Sequence, residues 1–395
     1  MHNRTMLAGA LCTLLAAAAA ACDPFDPELQ RQQEADAAVN SSYVTVEEVA
    51  RLLSTLPLEA GQLEEVHHAA TASSANGYDE EYRMADLFAA PGTGVGGDAA
   101  ATRAYSRPLR DLLREAAQER FATKAGGDAS AWLDSLQHSD LQIYWPFSAS
   151  WDGSAQMPVV TYDPGDGSER NEGWCLQPDG TVQKVLVDEQ MARERPVWVV
   201  NRNADAGYPS LELLRRGLPD WGSGGSLVVG GTKAKTSGEL KTLILRSFTA
   251  HRQFDTWLAG ASEFFVKVGA VENFKATTEA DLRQYKPSVT DFMLVVRRDQ
   301  VGQEMPFNAI MVSDWSSQLD NCAFMITEDD GGTRTTWKCS AAVKYNSKSY
   351  GFEIEIPLNS RDDIVWRGSL TRRYIEQYSG TLGHFGDIDL VLELI

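Results

Sequence analysis

The chain has 395 residues, of which 43% are hydrophobic, with 10 tryptophans and a formal net charge of −19 at pH 7. This composition is typical of a globular protein and not of a disordered one, and the length predicts two or three domains. The negative charge argues against nucleic-acid binding, which requires a basic surface, and against direct binding to anionic lipid headgroups. We expect an acidic surface that can collect cations.

The first 21 residues form a candidate export signal. Arg4 precedes the apolar run 6–18, which has the length of a signal-peptide core and is too short to span a bilayer as a mature helix. The run leads into Ala19-Ala20-Ala21-Cys22, and small residues before a cysteine resemble a bacterial lipobox. That resemblance implies that Cys22 is acylated and becomes the new N-terminus. The alternative is ordinary secretory cleavage, because the same residues also form an A-x-A site.

A lipid on Cys22 would anchor the chain durably, since each buried CH₂ group contributes about 0.8 kcal/mol. The polar, proline-bearing segment 22–43 is suited to be a tether. We therefore expect an exported protein of the bacterial envelope, on the outer membrane or cell surface rather than the inner membrane. Three segments, LQIYWPFSASWDG, VWVVNRN and RDDIVWRG, resemble uncharacterised bacterial lipoproteins. This second resemblance implies no activity.

Residues 44–203 are predicted to form a mixed α and β domain. In TVEEVARLLSTL, Thr45 and Glu48 have the spacing of a capping box, and apolar residues recur at helical spacing. The segments SRPLRDLLREAAQERF and DASAWLDSLQ repeat this pattern behind a Ser or Asp N-cap. Strand signals follow, and Pro178-Asp179-Gly180 should close a hairpin. The strand runs are LQIYWP, MPVVTYDP, GWCLQPDGTVQKVLVDE and RPVWVVNR.

Residues 204–238, which include a Gly-, Ser- and Thr-rich segment, are predicted to link this domain to a second one. From 239 to 395 about eight strand signals recur, and long amphipathic helices are nearly absent. In the last strand, residues 388, 390, 392 and 394 are apolar and alternate with other residues, which predicts one buried face. An antiparallel β-sandwich is the simplest architecture for this pattern.

Two cysteines, Cys322 and Cys339, are the first and last residues of the segment CAFMITEDDGGTRTTWKC. A two-residue turn at Asp330-Gly331 would place them opposite each other at a non-hydrogen-bonded position, where the backbone spacing allows a disulfide. A metal site would need two further soft ligands, which no C-x-x-C motif or nearby His supplies. An oxidising compartment favours the bond, so we predict a buried disulfide. Two unpaired core thiols are the alternative.

The segment EEVHHAATASSANGYDEEY concentrates His67 and His68 with several acids. Its spacing matches no zinc motif, and adjacent histidines on a helix point to different faces. The chain contains no G-x-S-x-G nucleophile motif. We therefore expect a non-catalytic protein with a role in binding, adhesion or structure and with a protein or glycan ligand. The alternative is an exported hydrolase whose interdomain site is built around these histidines.

The region from about 240 to 395 resembles the C2-domain family. A strand leads to Asp255, and the following GASEFFVKV is similar to the G-x-S-D-P-Y-V-K-V motif of that family. The segment IMVSDWSSQLDN is similar to its later acidic loop. The resemblance implies a C2-like sandwich with calcium at one rim, and the hairpin tip 329–330 is expected at the far side. The implied ligands are Asp255, Glu263, Asp314 and Asp320. The alternative is that these acids are solvated loop residues.

Overall fold

A computed structural model describes residues 44–89, 105–122, 128–203, 205, 207–218, 221 and 240–395. The predicted signal peptide 1–21, the acylation site Cys22 and the tether 22–43 lie outside these ranges. Within them, no helix combines the length and the apolar character that crossing a membrane requires.

Helices open the first region, 44–203, and share one hydrophobic core with strand residues such as Ile143 and Trp198. Two of the N-caps predicted from the sequence are present: the side chain of Thr45 accepts a hydrogen bond from the Glu48 N–H, and Asp128 accepts one from the Ser130 N–H. The helices are α1 (Val46–Leu53), α2 (Ala60–Ala75), α3 (Met84–Phe88), α4 (Leu109–Ala122), α5 (Ala129–Gln137) and α6 (Glu189–Glu194).

A mixed sheet underlies these helices. Among the described residues it has six strands in the order β1-β2-β6-β3-β4-β5, and β3 pairs with β6 in parallel. The predicted hairpin at 178–180 is present, since Leu176 pairs with Val182. One face of the sheet packs on the helices, and the other carries a second apolar cluster. The strands are β1 (Glu81–Arg83), β2 (Leu141–Tyr144), β3 (Val159–Tyr162), β4 (Arg170–Leu176), β5 (Val182–Asp188) and β6 (Val197–Arg202).

The predicted linker, 204–238, includes a helix, α7 (Leu211–Gly217). The Ser210 side chain caps it by accepting a hydrogen bond from the Leu213 N–H at 3.1 Å. Leu211 is fully buried in the core of the second region. This part of the predicted linker is therefore structured, and residues 222–238 lie outside the described ranges.

The second region is built from two antiparallel sheets. Its described strands form a large sheet, ordered β13-β12-β11-β8-β9 with β14 also paired to β11, and a small sheet, ordered β10-β7-β16-β15. Apolar residues of both sheets meet in one core, so the arrangement is sandwich-like, as predicted. The elements are β7 (Lys241–Ala250), β8 (Ser262–Ala270), β9 (Ser288–Val296), β10 (Met305–Trp315), β11 (Leu319–Glu328), β12 (Arg334–Tyr345), β13 (Lys348–Asn359), β14 (Asp363–Thr371), α8 (Arg372–Gln377), β15 (Thr381–Phe385) and β16 (Ile388–Leu394).

The predicted register between β11 and β12 is wrong. Strand β11 lies between β8 and β14 over most of its length, and β12 pairs with β13 instead. Leu370 is opposite Cys322, Ile354 is opposite Cys339, and both thiols are free. The reason is that β14 pairs with β11 from Asn321 to Glu328 and so occupies the edge that the predicted hairpin assigned to β12, which reaches β11 only at Leu319 and Asn321. The geometric basis of the predicted disulfide is therefore lost.

Candidate cation site where the two regions meet

The loop 251–261, between β7 and β8, carries much of the contact between the two regions. Its Trp257 and Leu258 are fully buried in the apolar cluster on the outer face of the first sheet. The Trp257 indole N–H donates to the Glu169 carbonyl at 2.9 Å, and the Asn201 side-chain amide donates to the Leu258 carbonyl at 3.2 Å. Apolar burial and hydrogen bonds together fix this loop on the first region.

Asp79 of the first region holds the end of that loop. One carboxylate oxygen accepts a hydrogen bond from the Ala261 N–H at 2.9 Å, and the other accepts one from the Glu80 N–H at 2.7 Å. A Cβ on Gly260 would lie 2.9 Å from this carboxylate, and Gly260 has a φ of +137°, so the close approach requires glycine. Burial raises the pKa of Asp79 to about 7.

The next two acids, Glu80 and Glu81, are buried and bonded within the first region. Glu80 accepts hydrogen bonds from the loop 147–149 at 3.0, 2.9 and 3.2 Å. Glu81 accepts one from the Asn203 side chain at 2.9 Å. Burial raises the pKa of both carboxyls. Glu80 and Glu81 therefore stabilise the fold of the first region beside its contact with the second region.

Three carboxyl groups of the second region converge next to this contact. Asp255 belongs to the loop, Glu263 is the second residue of β8, and Glu328 is the last residue of β11. One oxygen from each carboxyl group lies within 4.8 Å of the others. Strands β8 and β11 are paired, and the Asp329 N–H donates to the Glu263 carbonyl at 3.0 Å. The pairing of these two strands thus brings two of the carboxyl groups to the same end of the large sheet.

These three carboxyl groups are short of hydrogen-bond donors. Glu328 is 0% exposed and Glu263 is 8% exposed. Among the described residues, no N–H group donates to either carboxylate oxygen of Glu328 or to Oδ2 of Asp255, and the side chains close enough to shift the pKa of Glu328 by hydrogen bonding are the Asp255 carboxyl and the Ser262 hydroxyl. Burial raises the pKa of all three groups, and the neighbouring Asp255 carboxyl raises the pKa of Glu263 and Glu328 further. Because an unpaired buried carboxylate is costly, these groups must carry protons or hold a cation.

Arg298 offsets part of this negative charge. Its side chain is 10% exposed, its Nη2 donates to the Asp255 carbonyl at 2.7 Å, and its charge lowers the pKa of Asp255. Other acids act in the opposite direction: Asp330 raises the pKa of Asp255, and Asp205 raises that of Glu263. The guanidinium donates this hydrogen bond to the main-chain carbonyl of Asp255 and not to its carboxylate. The oxygens of the three carboxyl groups therefore remain next to one another.

The structure brings together two of the four predicted calcium ligands, Asp255 and Glu263. Asp320 lies near the start of β11, eight residues and about 26 Å of strand from Glu328. It forms an ion pair with Lys344 at 2.8 Å.

The fourth predicted ligand, Asp314, also lies away from this cluster. Its carbonyl accepts a hydrogen bond from the Asn273 N–H, just after the end of β8, whereas Glu263 lies at the start of that strand. Residues 329–330 lie at the far side from Asp314 and Asp320, as expected, but next to Glu263, whose carbonyl accepts a hydrogen bond from the Asp329 N–H. The acidic cluster is thus at the end of the large sheet opposite to Asp314 and Asp320.

Glu328 was not predicted as a ligand, because the sequence does not show that β11 pairs with β8 and ends beside Glu263. One signal was available: Glu328 is the first of three consecutive acids that follow the apolar run Cys322 to Ile326 and Thr327. An acid in that position lies at the end of a central strand. The side chains at the ends of the two neighbouring strands lie close to it.

His67 and His68 lie in α2 and contact different groups. His67 packs against Trp145 and Trp151, with ring centroids 5.7 and 4.9 Å away, and its Nε2 lies 3.1 Å from the Ser148 carbonyl. Nδ1 of His68 lies 2.6 Å from the Tyr105 hydroxyl. The Ser148 hydroxyl donates to Glu80. His67 therefore contacts the carbonyl of that serine and not its hydroxyl, which gives no support to a nucleophile–base pair.

No family model, no curated protein and no solved structure matches this chain.

Proposed function

We propose that this protein is a calcium-binding component of the bacterial envelope, exported and anchored through a lipid on Cys22, which acts by binding a protein or glycan ligand. The export signal and the Ala-Ala-Ala-Cys junction support the location. The convergence of the Asp255, Glu263 and Glu328 carboxyl groups, to whose oxygens Arg298 and the other described cations make no salt bridge, carries the calcium part of the proposal.

The donor set favours calcium over other metal ions. Calcium prefers oxygen ligands at about 2.3–2.6 Å, so two oxygens bound to the same ion can be at most about 5 Å apart. The three carboxylate oxygens lie within 4.8 Å of one another, and the cluster contains no imidazole or thiol. Magnesium demands nearly octahedral geometry at about 2.0–2.1 Å and usually keeps several waters. A buried group of carboxylates therefore suits calcium better.

The bound ion would neutralise charge at the contact between the two regions. It would join the ends of β8 and β11 to the loop 251–261, which is fixed on the first region through Trp257 and Leu258. Extracellular calcium modules have Kd values of about 10⁻⁴–10⁻³ M, a range that fits an exported protein. A C2-like sandwich is part of the proposal for the second region, with Glu328 as a calcium ligand in place of Asp314 and Asp320.

Calcium titration of the full-length protein in detergent tests the proposal. We expect calorimetric binding of one ion per chain and a rise in Tm. At calcium concentrations about 100 times Kd, the free energy of unfolding should increase by about 2.7 kcal/mol. Glu328→Gln should abolish both effects while leaving the calcium-free protein folded, because glutamine keeps the shape and removes the buried charge.

Glu353→Gln is the matched control, since Glu353 is an exposed glutamate on β13 of the same sheet. This variant should bind calcium as the wild type does. If the wild-type protein shows neither heat nor a change in Tm at millimolar calcium, the calcium proposal is wrong.

A further inference from the structure

A second group of metal-ligating side chains lies on the small sheet. Strand β16 runs between β7 and β15, and its Asp389 is directly opposite His384 of β15. His251 directly follows β7, and its N–H donates to the Asp387 carbonyl at 2.9 Å. Three adjacent strands therefore bring two imidazoles and one carboxylate to the same place.

The carboxylate of Asp389 contacts both rings. His384 Nδ1 lies 2.6 Å from Oδ1, and His251 Nε2 lies 2.9 Å from Oδ2. The two ring centroids are 6.1 Å apart. One ligand atom from each of the three side chains lies within 4.8 Å of the others. The carboxylate thus holds both imidazoles beside a common point.

This group faces solvent. Ile388 and Leu390, the neighbours of Asp389 along β16, are fully buried in the core, so Asp389 projects from the opposite face of the strand. The side chains of His251 and His384 are 42% and 71% exposed, and that of Asp389 is 17% exposed. An ion can reach the three ligand atoms without any opening of the fold.

We propose that His251, His384 and Asp389 bind one divalent transition-metal ion of the zinc class, through Nε2, Nδ1 and a carboxylate oxygen respectively. Two neutral imidazoles and a carboxylate are ligands that zinc uses, with bonds of about 2.0–2.2 Å, and three protein ligands leave the fourth position open to water. The exposed rings can move the short distance that this coordination requires. The mixed nitrogen and oxygen donors distinguish this site from the all-oxygen cluster, which suits calcium.

The hydrogen bonds of Asp389 with the two imidazoles are compatible with this role. They lower the pKa of Asp389, chiefly through His384, so the carboxylate is ionised and ready to coordinate. They also orient both rings before an ion arrives, which limits the entropy lost on binding. None of these residues belongs to the proposed calcium site, so the two proposals stand or fall separately.

Zinc titration of the full-length protein in detergent, with millimolar calcium present to occupy the acidic cluster, tests the inference. We expect one zinc ion to bind per chain with micromolar or tighter affinity. His251→Ala and His384→Ala should each weaken zinc binding by at least about tenfold. The loss of a ligand should reduce the affinity at least as much as the loss of a residue that hydrogen-bonds to a ligand. Cobalt(II) in place of zinc provides a spectroscopic readout. We expect visible absorption bands typical of nitrogen ligands in the wild-type protein, and we expect these bands to be lost in both variants.

His138→Ala is the matched control. His138 is also exposed and lies 3.4 Å from a carboxylate, Asp134, but that pair is not part of a three-ligand cluster among the described residues. This variant should bind zinc and cobalt normally. Zinc affinity unchanged in the His251→Ala/His384→Ala double variant would overturn the inference, and so would binding that is lost only when His67 is replaced.

Discussion

Glu328 is an ionisable residue at a position where an apolar side chain would stabilise the fold. It is fully buried, and its neighbours include a second carboxyl group, that of Asp255, which raises its pKa further. Burying a carboxyl group without a partner costs several kcal/mol unless the group is protonated. Groups of this kind, with a pKa shifted by burial and by a specific charged neighbour, are concentrated at functional sites. This is why the cluster around Glu328 is the best candidate for a binding site.

Gly260→Ala should weaken the contact between the two regions. The new Cβ would lie 2.9 Å from Oδ2 of Asp79, and a non-glycine residue at positive φ adds about 1–3 kcal/mol of strain. We expect a lower Tm in thermal denaturation, together with faster hydrogen exchange at Ala261, whose N–H bonds to Asp79.

Gly153→Ala separates the two causes. Gly153 also has a positive φ, of +80°, but a Cβ there meets no atom within 4 Å. It should cost backbone strain only. Equal losses of stability in the two variants would show that the close approach between Gly260 and Asp79 has no part in the contact.

Elements with local signals could be predicted from the sequence. The N-caps at Thr45 and Asp128 and the turn at 178–180 are present because a few adjacent residues determine them. The mixed first region and the antiparallel second region also follow from local patterns of apolar residues. The helix α7 also had a local signal, because Ser210 is a suitable N-cap directly before Leu211. This helix was not predicted, because the segment 204–238 as a whole has a composition typical of a linker.

Pairing between strands distant in sequence could not be predicted in the same way. A turn at Asp330-Gly331 was plausible locally, yet β11 pairs with β14, which begins more than 30 residues later. That change separates Cys322 from Cys339. The antiparallel pairing of β11 with β8, which is also long-range, brings Glu328 and Asp329 to the end of the sheet that holds Glu263. The candidate site therefore depends on long-range register, which the local sequence does not determine.

At the scale of the whole molecule, a net charge of −19 and a buried acidic cluster favour cations as partners. The export proposed above would expose the protein to calcium at concentrations suited to a weak site. The loop 251–261 connects that site to the first region, so occupancy should change the stability of both regions together.

Cys22→Ser should release the protein from membranes. A serine cannot be acylated at this junction, and the loss of the lipid removes the hydrophobic contribution to anchoring. Fractionation of cells should find the variant in the soluble fraction. A Cys339→Ser control should stay with the membranes, and a Cys22→Ser variant that still sediments with them would show that a lipid on Cys22 is not the anchor.

The most direct test of the central claim is X-ray diffraction from crystals of the protein grown with calcium and, separately, with terbium, whose anomalous scattering locates the ion. We expect one strong anomalous peak about 2.3–2.6 Å from oxygens of Asp255, Glu263 and Glu328, and no peak there in Glu328→Gln. Anomalous density at Asp314 and Asp320 instead, or an empty cluster at millimolar calcium, would contradict it.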